Sequence, residues 1–195
     1  MRAPVPTLPA QAPRAGGALG CAFGRLLLRL GGWRVEGEFP DLPRLVIIAA
    51  PHSSAWDVIW GLAAKLALGV HIDFMVKQEA FVGPLGWLLR SLGAIAVDRG
   101  AAGGAARQAA SRLHEAERMW FVLAPEGTRK PVQQWKSGFW HIARNAGTPV
   151  LCVAFHFPDR RIIIGPTLTM SEDLDADMTR IRAWYRPFQG KNRGT

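Results

Sequence analysis

Leu45-Val46-Ile47-Ile48-Ala49-Ala50-Pro51-His52-Ser53-Ser54-Ala55-Trp56-Asp57 is the stretch from which the rest of the chain can be read. Its first half is a short apolar run, rich in β-branched residues and fenced by Pro43 and Pro51, which predicts a buried strand. Val58 to Leu66 then predicts a helix, with Ser53 or Ser54 to cap it and Gly69 to end it. His52 therefore falls at the carboxyl end of a strand, and Asp57 in the first turn of the following helix, close enough to fold back on the ring. A catalytic base needs a nitrogen facing substrate, a fixed tautomer and support for the imidazolium it becomes. A carboxylate on the far ring nitrogen supplies the last two. The plainer alternative is a capping box of Ser54 and Asp57 beside an ordinary loop histidine. The two are compatible, since one carboxylate oxygen can face an amide and the other the ring.

Outward from this unit the same alternation repeats. His71 to Val76, Ala94 to Val97 and Met119 to Ala124 predict strands. A short helix begins at Pro84, and residues 105–118 and 137–146 read as longer helices. Pro149 to Phe155 and Arg160 to Ile164 are two last strands, Ser171 to Tyr185 is a helix with Ser171 as its cap, and Trp33 to Phe39 is an edge-like first strand. Strands alternating with helices predict an α/β sheet, at least partly parallel, and 195 residues suffice for a single domain with a sizeable core. Three polar clusters directly follow predicted strands: His52 to Asp57, Asp98-Arg99, and Glu126-Gly127-Thr128-Arg129-Lys130. Open α/β sheets bind ligands at the carboxyl ends of their strands, so parallel neighbours would bring the clusters to one crevice. Such a crevice suits a substrate with a hydroxyl to activate and a phosphate to hold. Arg99 and Arg129 match phosphate oxygens in a bidentate way, and Gly127 permits a tight turn beside the ligand. For Glu126 an internal ion pair with a nearby arginine is the competing use.

At the N-terminus, residues 1–15 are rich in Pro and Ala and read as a disordered tail. Residues 16–32 read as an amphipathic segment in which Arg25 and Arg29 stack one turn apart among Leu and Phe. Two placements fit it, a helix in a membrane interface and a helix packed on the domain. No apolar run is long enough to span a bilayer, and Arg25 and Arg29 interrupt any signal-peptide core. A net charge of +9 favours anionic partners, and eight Trp against one Tyr suits a membrane–water boundary. Cys21 and Cys152 have no metal-ligand spacing, Cys152 reads as a buried small hydrophobe, and neither suggests a disulfide framework. His71, His114, His141 and His156 likewise show no metal-ligand spacing, so no metal site is expected.

In order and spacing these motifs resemble the glycerolipid acyltransferases typified by 1-acyl-glycerol-3-phosphate acyltransferase. That family is marked by His, four residues, Asp, here His52 and Asp57, and by Glu-Gly-Thr-Arg, here Glu126 to Arg129. The Arg-bearing block Gly93 to Arg99 and the Pro-led strand at Thr148-Pro149-Val150 are also similar, so the likeness covers about residues 45–155. Pro51 stands where the family commonly has Asn, and Ala124 and Lys130 replace the outer positions of its second motif. The resemblance implies a mixed, mostly parallel sheet flanked by helices, with an acyltransferase domain over residues 33–190. It implies an acyl chain passing from a thioester of coenzyme A or acyl carrier protein, as co-substrate and with no cofactor, to a lysophospholipid hydroxyl. His52 would be the base, Asp57 its partner, Arg99 and Arg129 the phosphate ligands, and Glu126 a ligand of the acceptor's polar backbone. Gly127, Thr128 and Lys130 complete the acceptor side. The expected setting is peripheral, on the cytoplasmic face of a membrane with an anionic surface. No Gly-x-Ser-x-Gly elbow exists, which disfavours an acyl-serine route through Ser53 or Ser54. The alternative is a basic membrane-surface protein that binds anionic lipid without turnover. A nucleic-acid binder ranks last, because no recognisable module interleaves the basic residues with exposed aromatics.

Overall fold

The structure, a computed structural model, describes residues 5–97 and 104–194. Helix α1 (Ala18–Gly31) and strands β1 (Arg34–Glu36) and β2 (Arg44–Ala50) lead to α2 (Trp56–Leu68), β3 (Asp73–Lys77), α3 (Gly83–Ser91) and β4 (Ala94–Val97). Next come α4 (Gly104–Glu115), β5 (Met119–Leu123), α5 (Gly138–Ala146), β6 (Val150–His156), β7 (Arg161–Leu168) and α6 (Leu174–Tyr185). The strands form one seven-stranded sheet in the order β1-β7-β6-β2-β5-β3-β4. Every pairing is parallel except the β6–β7 hairpin. The expected single α/β domain with a mixed, mostly parallel sheet is the fold observed.

β2 lies at the centre because both its faces are apolar. Leu45 and Ile47 point into one core with Leu28 of α1, Ala63 of α2 and Trp120 of β5. Val46 and Ile48 point into the other with Phe121, Phe139 of α5 and Tyr185 of α6. A strand covered on both sides reads as a continuous hydrophobic run, which is why 45–50 carries no polar alternation. The Tyr185 hydroxyl donates to the Ile48 carbonyl at 2.6 Å and accepts from the Val153 amide at 3.0 Å, tying α6 to the central strands. Burial pushes the Cys152 thiol up to about 12, consistent with a small hydrophobe in the core.

Helix α1 packs on the domain by one face and leaves an apolar stripe exposed on the other. Gly24 and Leu28 are buried, and Gly24 lies so close to α2 that an added Cβ would stand 2.4 Å from the Ala67 nitrogen. Leu19, Phe23, Leu26 and Leu30, spaced along the opposite stripe, are exposed. Residues 5–15 depart from the expected disordered tail. Val5 and Ala12 are buried, the Ala15 amide donates to the Gly69 carbonyl at 2.9 Å, and the Gln11 amide donates to Asp41 at 2.8 Å. The Pro- and Ala-rich segment is held by main-chain bonds and small side chains, which composition does not register. At α6 the cap is Asp173, accepting from the Ala176 amide at 2.9 Å, in place of the expected Ser171. Among the described residues no helix is long and apolar enough to cross a membrane.

Candidate active site

β2 and β5 are adjacent and parallel, with Ile48 in register with Leu123, so the loops leaving their carboxyl ends meet. The first carries His52 and the second Glu126. His52 Nδ1 lies 3.3 Å from Asp57 Oδ2, and that carboxylate is almost fully buried. The same Oδ2 accepts from the Ser53 amide at 2.6 Å and the Ser54 amide at 2.8 Å, while Oδ1 accepts from the Ser54 hydroxyl at 3.0 Å. Ser54, one of the two expected caps, accepts from the Trp56 amide at the start of α2 at 3.2 Å. Ala55, which precedes the helix directly, has no side-chain bond to it, and Asp57 folds back over the Ser53 and Ser54 amides. Burial raises the Asp57 carboxyl, but the bonds from His52, the Ser54 and Ser53 amides and the Ser54 hydroxyl outweigh it and hold it below the usual aspartate range. A fixed anion on Nδ1 leaves Nε2 as the basic nitrogen, and it has no partner among the described residues.

Glu126 is buried, and both its oxygens are engaged within the protein: Oε1 accepts from the His52 amide at 2.8 Å, and Oε2 pairs with Arg193. The competing use weighed for Glu126, an internal ion pair, is the one found; an acceptor ligand would have to displace Arg193. Gly127 adopts φ +66°, the left-handed region where an added Cβ would also meet the Lys136 side chain at 2.7 Å. Thr128 Oγ1 accepts from the Lys130 amide at 3.2 Å, and Arg129 and Lys130 are exposed on the same loop. Asp98 and Arg99 lie outside the described residues; β4, which precedes them, is an edge strand separated from β5 by β3.

A cavity of about 730 Å³ opens beside this constellation, within the range of about 300–1,000 Å³ usual for small-molecule sites. His52, Asp57, Lys65, Gly127 and Lys136 line it, and the rest of its wall is apolar. Its position follows from the sheet. β3 pairs with β5 only at Asp73 with Phe121 and Phe74 with Val122, and beyond that point Met75 and Val76 face the cavity opposite Leu123 and Ala124. Gly61 of α2 and Ile142 of α5 reach it from the two helical layers. Sequence reasoning missed Lys136 and Arg193, which belong to no motif, and the cavity, which needs two strands to part. Among the described residues no group of three or more His, Cys, Asp and Glu side chains is placed to hold a metal ion.

Residues 34–156, more than half of the chain, match the model of the acyltransferase family. The chain belongs to that family. It is 33% identical over 146 residues to the 1-acyl-sn-glycerol-3-phosphate acyltransferase of Pseudomonas aeruginosa, an alignment covering 69% of this chain and 54% of that protein. The chain thus spans about half the length of that curated relative. Its fold is similar to the crystal structure of the 1-acyl-sn-glycerophosphate (LPA) acyltransferase, PlsC, from Thermotoga maritima. The TM-score is 0.64 at 19% identity, over 85% of this chain and 75% of that one. In this acyltransferase-family chain, His52, Asp57 and Glu126 to Lys130 all fall within the matched region, whereas Arg193 lies beyond it.

Proposed function

We propose that the chain transfers a fatty acyl group from a thioester, carried by coenzyme A or acyl carrier protein, to the free hydroxyl of 1-acyl-glycerol-3-phosphate or a related lysophospholipid. The observation that carries this reading is the His52–Asp57 pair, 3.3 Å apart, in the wall of a largely apolar cavity. His52 Nε2 takes the acceptor's hydroxyl proton as the oxygen attacks the thioester carbonyl. The carbon–sulfur bond then breaks, and the imidazolium returns its proton to the leaving thiolate. The products are the diacyl lipid and a free thiol, and no enzyme nucleophile is needed. Asp57 stabilises the imidazolium between the two steps. The acceptor phosphate is met by Arg129, Lys130 and Lys136, with Arg99; the exposure of Arg129 and Lys130 and the place of Lys136 in the cavity wall support this. The apolar wall accepts acyl chain, each buried methylene contributing about 0.8 kcal/mol.

The setting is the cytoplasmic face of a membrane, met peripherally. Supporting this are the exposed Leu19, Phe23, Leu26 and Leu30 of α1, Trp56 and Ile59 beside the site, and Leu85 and Trp87 of α3. The net charge of +9 favours an anionic surface. The test is a thiol-release assay with acyl-CoA and acyl-acyl carrier protein against a panel of lysolipids. Wild type should release thiol only with an acceptor present, and His52→Ala should lose about a hundredfold to ten-thousandfold. Thiol release unchanged in His52→Ala would remove the base. Vesicle binding with no release on any acceptor would favour lipid binding without turnover.

A further inference from the structure

We infer that Arg193, on a strap formed by residues 190–193, is a positioning residue that sets the loop bearing the catalytic base; this rests on the acyl-transfer reading of the site. The partners of that loop's main chain divide between two sources. The amides of Ser53 and Ser54 are held by Asp57, and the amide of His52 by Glu126 at 2.8 Å, all within the family-matched region. The carbonyls are held from the far end of the chain. Arg193 Nη2 donates to the His52 carbonyl at 3.4 Å, and Asn192 Nδ2 donates to the Ser53 carbonyl at 2.8 Å. The Asn192 amide also donates to the Ser53 hydroxyl at 3.3 Å.

The same Arg193 nitrogen pairs with Glu126 Oε2 and donates to the Lys130 carbonyl at 3.0 Å. One guanidinium therefore joins the loop after β2 to the loop after β5. The Glu126 side chain is fully buried and that of Arg193 largely so, with 18% of it exposed. A buried carboxylate left without its counter-charge is strongly unfavourable and draws in water or moves. Glu126 Oε1 is the acceptor that fixes the His52 amide, so any such movement passes directly to the base. The strap is itself anchored: the Phe157 amide donates to the Gln189 carbonyl at 2.8 Å, and Gly190 sits so close to Ser53 that an added Cβ would lie 2.4 Å from its hydroxyl. Lys191 Nζ lies 4.6 Å from the centre of the Trp56 ring, a further contact with the start of α2.

The experiment compares wild type, Arg193→Met, Glu126→Gln and the double variant, on the full chain. It reads kcat, KM for each substrate, and amide hydrogen exchange of the peptide covering residues 50–57. Arg193→Met is expected to speed exchange in that peptide and to lower kcat about tenfold to a hundredfold, with each KM within about threefold, because a small misplacement of the base acts on the chemical step. A Gln at 126 still accepts from the His52 amide but needs no counter-charge. The double variant is therefore expected to regain kcat and slow exchange relative to Arg193→Met alone. Asn192→Ala, which removes only the Ser53 contact of that side chain, should show a smaller change of the same kind and covers the case in which Arg193→Met does not fold. Exchange unchanged in Arg193→Met overturns the inference whatever the activity. A raised KM for the acceptor at unchanged kcat, with no recovery in the double variant, also overturns it and makes Arg193 a direct phosphate ligand. A wild type without thiol release against any acceptor refutes the acyl-transfer reading instead, and the exchange data still decide the role of the strap.

Discussion

Replacing Asp57 by Asn removes one charge and little else, which makes it the sharpest probe of the proposed base. The amide oxygen can take the place of Oδ2 and keep the Ser53 and Ser54 amides, while its NH2 donates to the Ser54 hydroxyl at the Oδ1 position. The loop is therefore expected to survive. What is lost is the attraction between the carboxylate and the imidazolium that forms during the reaction. At 3.3 Å and an effective dielectric of about 20, that attraction is about 5 kcal/mol. The His52 side chain is 25% exposed, and water on that side weakens the attraction to about 3–4 kcal/mol. At 1.36 kcal/mol per power of ten, kcat should fall about a hundredfold to a thousandfold with KM little changed. Initial rates of thiol release with saturating lysolipid measure this, with circular-dichroism melting as the control for folding. A variant that melts like wild type and keeps kcat/KM within about threefold would refute the idea that Asp57 supports a charged intermediate on His52.

Other consequences follow from the same geometry. Asp57 and Asp177 both sit below the usual aspartate range. For Asp177, burial is outweighed by bonds from Trp140 and Ser171 and by the charge of Arg180. A folded-state value below the unfolded one stabilises fully above about pH 4 and is lost as pH falls through the lower value, so the melting temperature should hold down to about pH 5 and drop below about pH 4. Asp177→Asn should make that acid limb shallower, and an unchanged limb would show that the carboxylate is not responsible. Gly61→Leu should fill the cavity, since a Cβ there meets only Phe155 at an ordinary 3.5 Å. Long-chain thioesters should then lose rate relative to short ones, by about 0.8 kcal/mol for each methylene excluded, and an unaltered chain-length profile would place the acyl group elsewhere. Phe23→Gln with Leu26→Gln removes half of the exposed α1 stripe, and co-sedimentation with anionic vesicles should weaken at least about tenfold. Equal binding by that variant would assign the membrane contact to α3 or to charge alone.

The sequence by itself determined the local units and the pairing of His52 with Asp57. Val46 to Ala50 is a strand in any environment that covers both faces, and the spacing of His52 and Asp57 lets the carboxylate reach back across one turn. These are short-range matters, set by side-chain periodicity and by bonds between residues a few positions apart. Only the tertiary structure decided the rest. The cavity exists because β3 leaves β5 after Phe74 and Val122, a divergence that no periodicity records. The two faces of α1 were separated by the close approach of Gly24 to Ala67, and the exposed stripe is what that contact left over. The partner of Glu126 was legible as a type, an arginine, but not as Arg193. That residue lies 67 positions from Glu126 and 141 from His52, and chain closure over such lengths leaves no mark in residue spacing.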